Sequence, residues 1–161
     1  MLLAAVLVVA VALASGDQQA GLTRLHQVSL SVELTQPLPA TTAEDLAAQL
    51  GSLLREAYPP LRIHDDVADR IRLTISVRPM SATELRGFWL PFSGTYGIGA
   101  VRLGVQRMVN APGEPRSVPA IVWQTERTVG SPWQAVDSQI VRLVDEMVAE
   151  LLAASRRRMH E

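Results

Sequence analysis

The chain has 161 residues, 48% of them apolar, and a formal net charge of −1. That is enough for one domain with a real hydrophobic core, and too neutral for a global field aimed at nucleic acid or an anionic membrane. There is no cysteine, which excludes disulfides, thiolate metal sites, a cysteine nucleophile and lipid attachment through a thiol. All 15 basic residues are arginine. With the abundant alanine this reads as GC-rich bacterial coding, so arginine in place of lysine carries no functional weight.

Residues 1–14 are almost wholly apolar and uncharged, and Ala12-Leu13-Ala14 before Ser15 has the form of a cleavage site. The stretch is shorter than the ~20 residues a spanning helix needs. The expectation is a secretory signal peptide and a periplasmic or secreted domain, although no basic residue precedes the apolar run. Leu13-Ala14-Ser15-Gly16 resembles a lipoprotein processing box with Gly16 in the place of the cysteine, so lipidation is not expected. Residues 15–26 read as a flexible polar leader, and 27–158 as a single α+β domain.

Gln27–Leu34 alternates, with Val28, Leu30, Val32 and Leu34 on one side, as a half-buried strand does. Thr41 is placed to cap a helix, with Glu44 three residues on. Its apolar face is Leu46, Leu50, Leu53, Leu54 and Ala57, and Pro59-Pro60 stops it. Residues 62–69 read as a turn with an acidic cluster. Arg70–Arg78 is the strongest strand signal, with Ile71, Leu73, Ile75 and Val77 inward and Pro79 expected as its end. Residues 80–99 read as irregular. Ala100–Val109 alternates again, 110–119 is a Pro/Gly hairpin loop, and 121–129 is a fourth strand with Ile121, Trp123 and Thr125 sharing a face. The last helix is expected from Ser131 to about Arg158, with Ser131 as N-cap, Pro132 at the first position and Gln134 completing a capping box. Its apolar stripe, Val136, Ile140, Leu143, Val144, Met147 and Leu151, is widened by Val141, Val148 and Leu152 beyond the ~100° arc of a simple surface helix.

The expected order is β-α-β-β-β-α. The fold is a two-layer sandwich, a mostly antiparallel four-stranded sheet with two helices on one face. This order and the apolar N-terminus resemble small bacterial envelope proteins that assist outer-membrane assembly or secretion. The lipopolysaccharide-assembly lipoprotein and the N-terminal regions of curli-type secretion lipoproteins are similar in arrangement, without a shared motif. The resemblance implies a non-enzymatic envelope accessory protein.

The candidate partner site is the stretch LRGFWLPFSGTYGIG, residues 85–99, where Phe88, Trp89, Phe92 and Tyr96 are interleaved with four glycines. Exposed loop aromatics mark partner, lipid or glycan surfaces. Folding back as a cap on the core explains the same rings. Arg70, Arg72 and Arg78 on one strand, with Arg102 and Arg107 on a neighbour, form a candidate anion-binding stripe. A solvated sheet face with interleaved acids such as Glu126 is the plainer reading. His64, Asp65, Asp66 and Asp69 lack a metal-loop pattern, and no metal or other cofactor is expected. No G-x-S-x-G elbow or phosphate loop is present, so no catalytic residue is assigned. An envelope hydrolase would need a His and carboxylates converging in space. A small-ligand binder would need a pocket between the aromatic stretch and the last helix. The width of the last helix also allows a homodimer through Val141, Val148 and Leu152.

Overall fold

The computed structural model describes residues 26–85, 94–110 and 116–156. The elements are β1 (Gln27–Leu34), α1 (Ala43–Ala57), β2 (Arg62–Ile63), β3 (Arg70–Ser81), β4 (Thr95–Val109), β5 (Val118–Pro132), a 3-10 turn (Trp133–Ala135) and α2 (Val136–Arg156). The class is α+β as expected, but the sheet is five-stranded and mixed, in the order β2-β1-β3-β4-β5. β1 runs parallel to both β2 and β3, and only β3, β4 and β5 form an antiparallel meander. The reason is topological. A helix separates β1 from β2 and β3, and such a crossover returns the chain parallel, whereas the hairpins joining β3, β4 and β5 return it antiparallel. β2 is a two-residue edge inside the segment read as a turn.

Both helices pack on one face of the sheet and against each other. The layer between them holds Leu46, Leu50 and Leu54 from α1 and Ile140, Val144 and Met147 from α2. Ile71, Leu73, Ile75 and Val77 of β3 and Val101, Leu103 and Val105 of β4 complete it, all buried. Val148 is 2% exposed within this core, and Leu152 packs against its rim. The wide apolar arc of α2 is therefore used inside the monomer, on two strands and on α1. Of the three residues expected to meet a second copy, Val148 is thus taken up by the core, while Val141 and Leu152 are half-buried and keep accessible surface.

Three boundaries differ from the sequence reading. α1 is capped one residue later, by Thr42, whose hydroxyl accepts from the Asp45 amide while the Asp45 carboxylate accepts from the Thr42 amide (3.1 and 2.9 Å). Pro79 does not end β3. The Val77 carbonyl faces the β1 side, where it accepts from Gln36 Nε2 at 2.6 Å, and alternation puts the nitrogen of Pro79 on that same side. β1 has already stopped there, so the missing N–H removes no ladder bond. Ser131 is not a helix cap. β5 continues through Ser131 and Pro132, paired with Gly97 and Tyr96, and the helix begins five residues later than expected, after a 3-10 turn without a side-chain cap.

β5 also carries a bulge. Val105 pairs with Trp123 but Gln106 pairs with Ile121, leaving Val122 as an extra residue. Trp123 stays on the helix side and packs on the core, whereas Ile121 is turned to the opposite face and is 61% exposed. The expected common face of Ile121, Trp123 and Thr125 is split at this point.

Asp45 is one of two carboxyls among the described residues held below their ordinary value. The first cause is its bond with the Thr42 hydroxyl and the second the Thr42 backbone amide. Its contribution to stability is present above the ordinary unfolded value, about pH 4, and is lost as pH falls through the lower folded value. Asp45→Asn is therefore expected to lower the neutral plateau of a melting-temperature profile slightly and to flatten its acid limb. An unchanged acid limb would refute it.

Candidate functional site

The aromatic stretch is borne by the β3–β4 hairpin. Phe88, Trp89 and Phe92 lie outside the described residues, but the stem that carries them is defined on both sides. Ser81 ends β3, and its amide and hydroxyl both donate to Glu84 Oε2 at 2.7 Å, while the Glu84 amide donates back to Ser81 Oγ at 3.2 Å. This is a capping-box arrangement closing one turn. The Leu85 amide donates to the Ser81 carbonyl at 3.2 Å, and Leu85 is buried. The Ala82 amide donates to the Gly94 carbonyl at 2.9 Å, locking the two stem strands together where the segment leaves and returns. Ser81, first through its hydroxyl and then through its amide, holds the Glu84 carboxyl below the ordinary value.

Tyr96 does not belong to a loop. β4 starts at Thr95, and Tyr96 pairs with Met80 and Pro132, 5% exposed. Two of the glycines that made this stretch look irregular, Gly97 and Gly99, are needed for close approach instead, to the start of α2 and to β3. A Cβ on Gly97 would lie 2.6 Å from Val136 Cγ2 and 3.2 Å from Trp133 Cε3. One on Gly99 would overlap the Ser76 carbonyl oxygen and stand 2.7 Å from Val77 Cα. The start of α2 is thus packed directly on the stem.

The arginines divide. Arg70, Arg72 and Arg78 alternate along the exposed side of β3, and Arg102 stands beside them on β4. Arg107 has the strand parity of Val105, not of Arg102, and falls outside that stripe. It makes a 3.0 Å ion pair with Asp69, whose other oxygen accepts from the Met108 amide at 3.2 Å. Arg72 Nη2 meets both oxygens of Glu33 at 2.6 and 2.7 Å, Arg102 Nε meets Glu126 at 2.8 Å, and Arg70 Nε donates to Ser29 Oγ at 3.3 Å. Arg72 and Arg102 of the expected stripe are therefore charge-compensated by acids one strand away, whereas Arg70 meets only a hydroxyl and Arg78 is exposed on β3.

Asp69 is engaged with β4, so the His64–Asp69 cluster is not assembled around a common point. Among the described residues no group of three or more His, Cys, Asp or Glu is arranged to hold a metal ion. No described helix is long and apolar enough to cross a membrane.

Sequence reasoning missed a depression of about 280 Å³ on the open face of the sheet, between β1, β3, β4 and β5. Gly104 forms its floor. Glu33 and Arg72 stand on one side, Gln124 and Ile121 on the other, and Arg102 and Gln106 at the ends along β4. The one legible signal was Gly104 within an otherwise regular strand. The bulge that brings Ile121 there left no trace in the sequence pattern.

No protein-family model and no curated protein matches the sequence. Among solved structures the chain is similar to the PelC dodecamer from Paraburkholderia phytofirmans, at 14% identity and TM-score 0.44, over 83% of this chain and 89% of that one. It is also similar to a neuraminyllactose-binding hemagglutinin homolog from Helicobacter pylori (11%, 0.49, 86% and 87%) and to a minor lipoprotein from Acinetobacter baumannii (16%, 0.33, 83% and 93%). At these identities and TM-scores the likeness bears on neither activity nor ligand.

Proposed function

We propose that this chain is an exported, non-enzymatic accessory protein of the bacterial envelope that holds a partner protein through Phe88, Trp89 and Phe92. The observation that supports this most is the stem. Paired ladder bonds, the Ser81–Glu84 clasp and the buried Leu85 fix both ends of the aromatic segment at the tip of the β3–β4 hairpin. Large apolar side chains on a segment whose ends are held in place lose less conformational entropy on binding than those on a free loop. They are also the residue types that dominate binding energy at interfaces. The apolar run at 1–14 supports export, and the partner is accordingly an envelope protein.

The test replaces Trp89 with a photoreactive residue, irradiates intact cells and identifies the adduct by mass spectrometry. Capture of one envelope protein is expected. Trp89→Ala is expected to weaken that protein's binding to the purified chain by about 30-fold or more, the effect of a ~2 kcal/mol hot spot, at an unchanged melting temperature. A cooperative loss of stability in Trp89→Ala would instead make the ring part of the core and overturn the reading.

A further inference from the structure

The open-face depression shares no lining residue with the described stem of the β3–β4 hairpin, and its chemistry is specific. Its charges are closed locally. Arg72 is satisfied by Glu33 and Arg102 by Glu126, so an anion entering here would have to displace a carboxylate already bound to each guanidinium. A neutral ligand meets no such competition.

What the site leaves available is hydrogen bonding. Arg72 spends only Nη2 on Glu33, and Arg102 spends Nε and Nη2 on Glu126. Nε and Nη1 of Arg72 and Nη1 of Arg102 remain as donors. The amides of Gln106 and Gln124 have no hydrogen-bond partner among the described residues, and each offers both a donor and an acceptor. Beside them stands Ile121, the more exposed of the two large apolar side chains that the described residues present to solvent. It is there because of the β5 bulge, and bulges commonly re-aim a side chain next to a binding site.

Planar polar groups around a shallow bowl with one apolar wall match a molecule with many hydroxyls at its rim and C–H groups on its faces. The volume, about 280 Å³, lies just under the ~300 Å³ at which pockets for drug-sized ligands begin, and so suits a single ring. We propose that this depression is a carbohydrate subsite seating one neutral hexopyranose ring of a glycan. Arg72, Gln106 and Gln124 would hold its hydroxyls and Ile121 its apolar face.

Gly104 supplies the decisive variant. A Cβ there meets only ordinary contacts, 3.6 Å to the Trp123 carbonyl and 4.0 Å to Gln124 Cγ. Valine suits the strand, and its methyl groups occupy the floor. The experiment titrates the ¹⁵N-labelled full chain with three soluble hexaoses, of β-1,4-glucose, α-1,4-glucose and β-1,4-N-acetylglucosamine, at millimolar concentration. At least one is expected to shift the backbone amides of Arg102 to Gln106 and the side-chain amides of Gln106 and Gln124. Gly104→Val is expected to weaken that binding at least about tenfold, ~1.4 kcal/mol, without lowering the melting temperature. Gln124→Ala serves the same purpose should Gly104→Val not fold. The proposal is overturned if none of the three shifts these resonances, or if both variants bind as well as the parent. It is equally overturned if heparin alone shifts them and salt reverses the effect, since the face would then be an anion site.

Discussion

Gly99→Ala is expected to destabilise the domain by about 3 kcal/mol, the upper end of the usual cost of overpacking. For a chain of this size that lowers the melting temperature by roughly 6–12 °C. The added methyl has nowhere to go. Its nearest neighbours are the carbonyl oxygen of Ser76 and the Cα of Val77, both backbone atoms of the paired strand β3. A flexible side chain would swing aside, but here the β3–β4 ladder itself must open around the Val77–Gly99 pair. The same substitution at Gly104, five residues along the strand, is expected to be neutral or mildly stabilising, because a Cβ there finds ordinary contacts and glycine is a poor strand residue. Thermal denaturation of the two variants side by side is the check. Equal melting temperatures would show that the close approach at Gly99 is not a constraint of the fold.

Leu103→Ala is expected to lose about 3–4 kcal/mol, within the range found for leucines deleted from well-packed cores. Leu103 is fully buried on the central strand of the meander, between Leu73 and Thr125 in the ladder. Strands on both sides and the helix layer above hold the cavity open, so relaxation recovers little. Ile121→Ala removes as much side chain from the face turned to water and is expected to change stability by no more than ~0.5 kcal/mol. Chemical denaturation distinguishes the two. A loss at Leu103 under about 1 kcal/mol would mean that the β4 interior is loosely packed. A domain of this kind has only ~5–15 kcal/mol in total, so Leu103→Ala would remove a substantial share of its stability.

The element types were legible because burial on one face imposes a period of two on β1, β3, β4 and β5 and a helical period on α1 and α2. What periodicity does not encode is who pairs with whom. The parallel seat of β1 between β2 and β3 follows from the crossover through α1, and β2 is too short to leave a pattern. Pro79 was misread because its effect depends on whether a neighbour stands on its nitrogen side, which is a fact about β1. Ser131 was misread for a similar reason. A serine before a proline and a helical stripe is a good cap in isolation, but β4 extends far enough to keep Ser131 in the ladder. Arg107 was assigned to the wrong face because it follows Gln106 in a polar pair, and only strict alternation separates them. The aromatic stretch was found by composition alone, whereas the open-face depression required the bulge and the cross-strand register. Its residues come from four strands spread over nearly a hundred positions.

The parallel seat of β1 also governs the order in which the chain can assemble. From Ser29 to Leu34, each β1 residue pairs with a β3 residue 41 positions later. During synthesis at ~5–20 residues per second, β1 therefore waits roughly 2–8 s before its partner exists. Throughout that interval an alternating strand bearing Val28, Leu30, Val32 and Leu34 is without its ladder. The meander faces no such delay, since its strands are joined by local hairpins and can pair as they emerge. β1 thus precedes the strand that houses it by a whole crossover, whereas each later strand of the meander follows its partner directly.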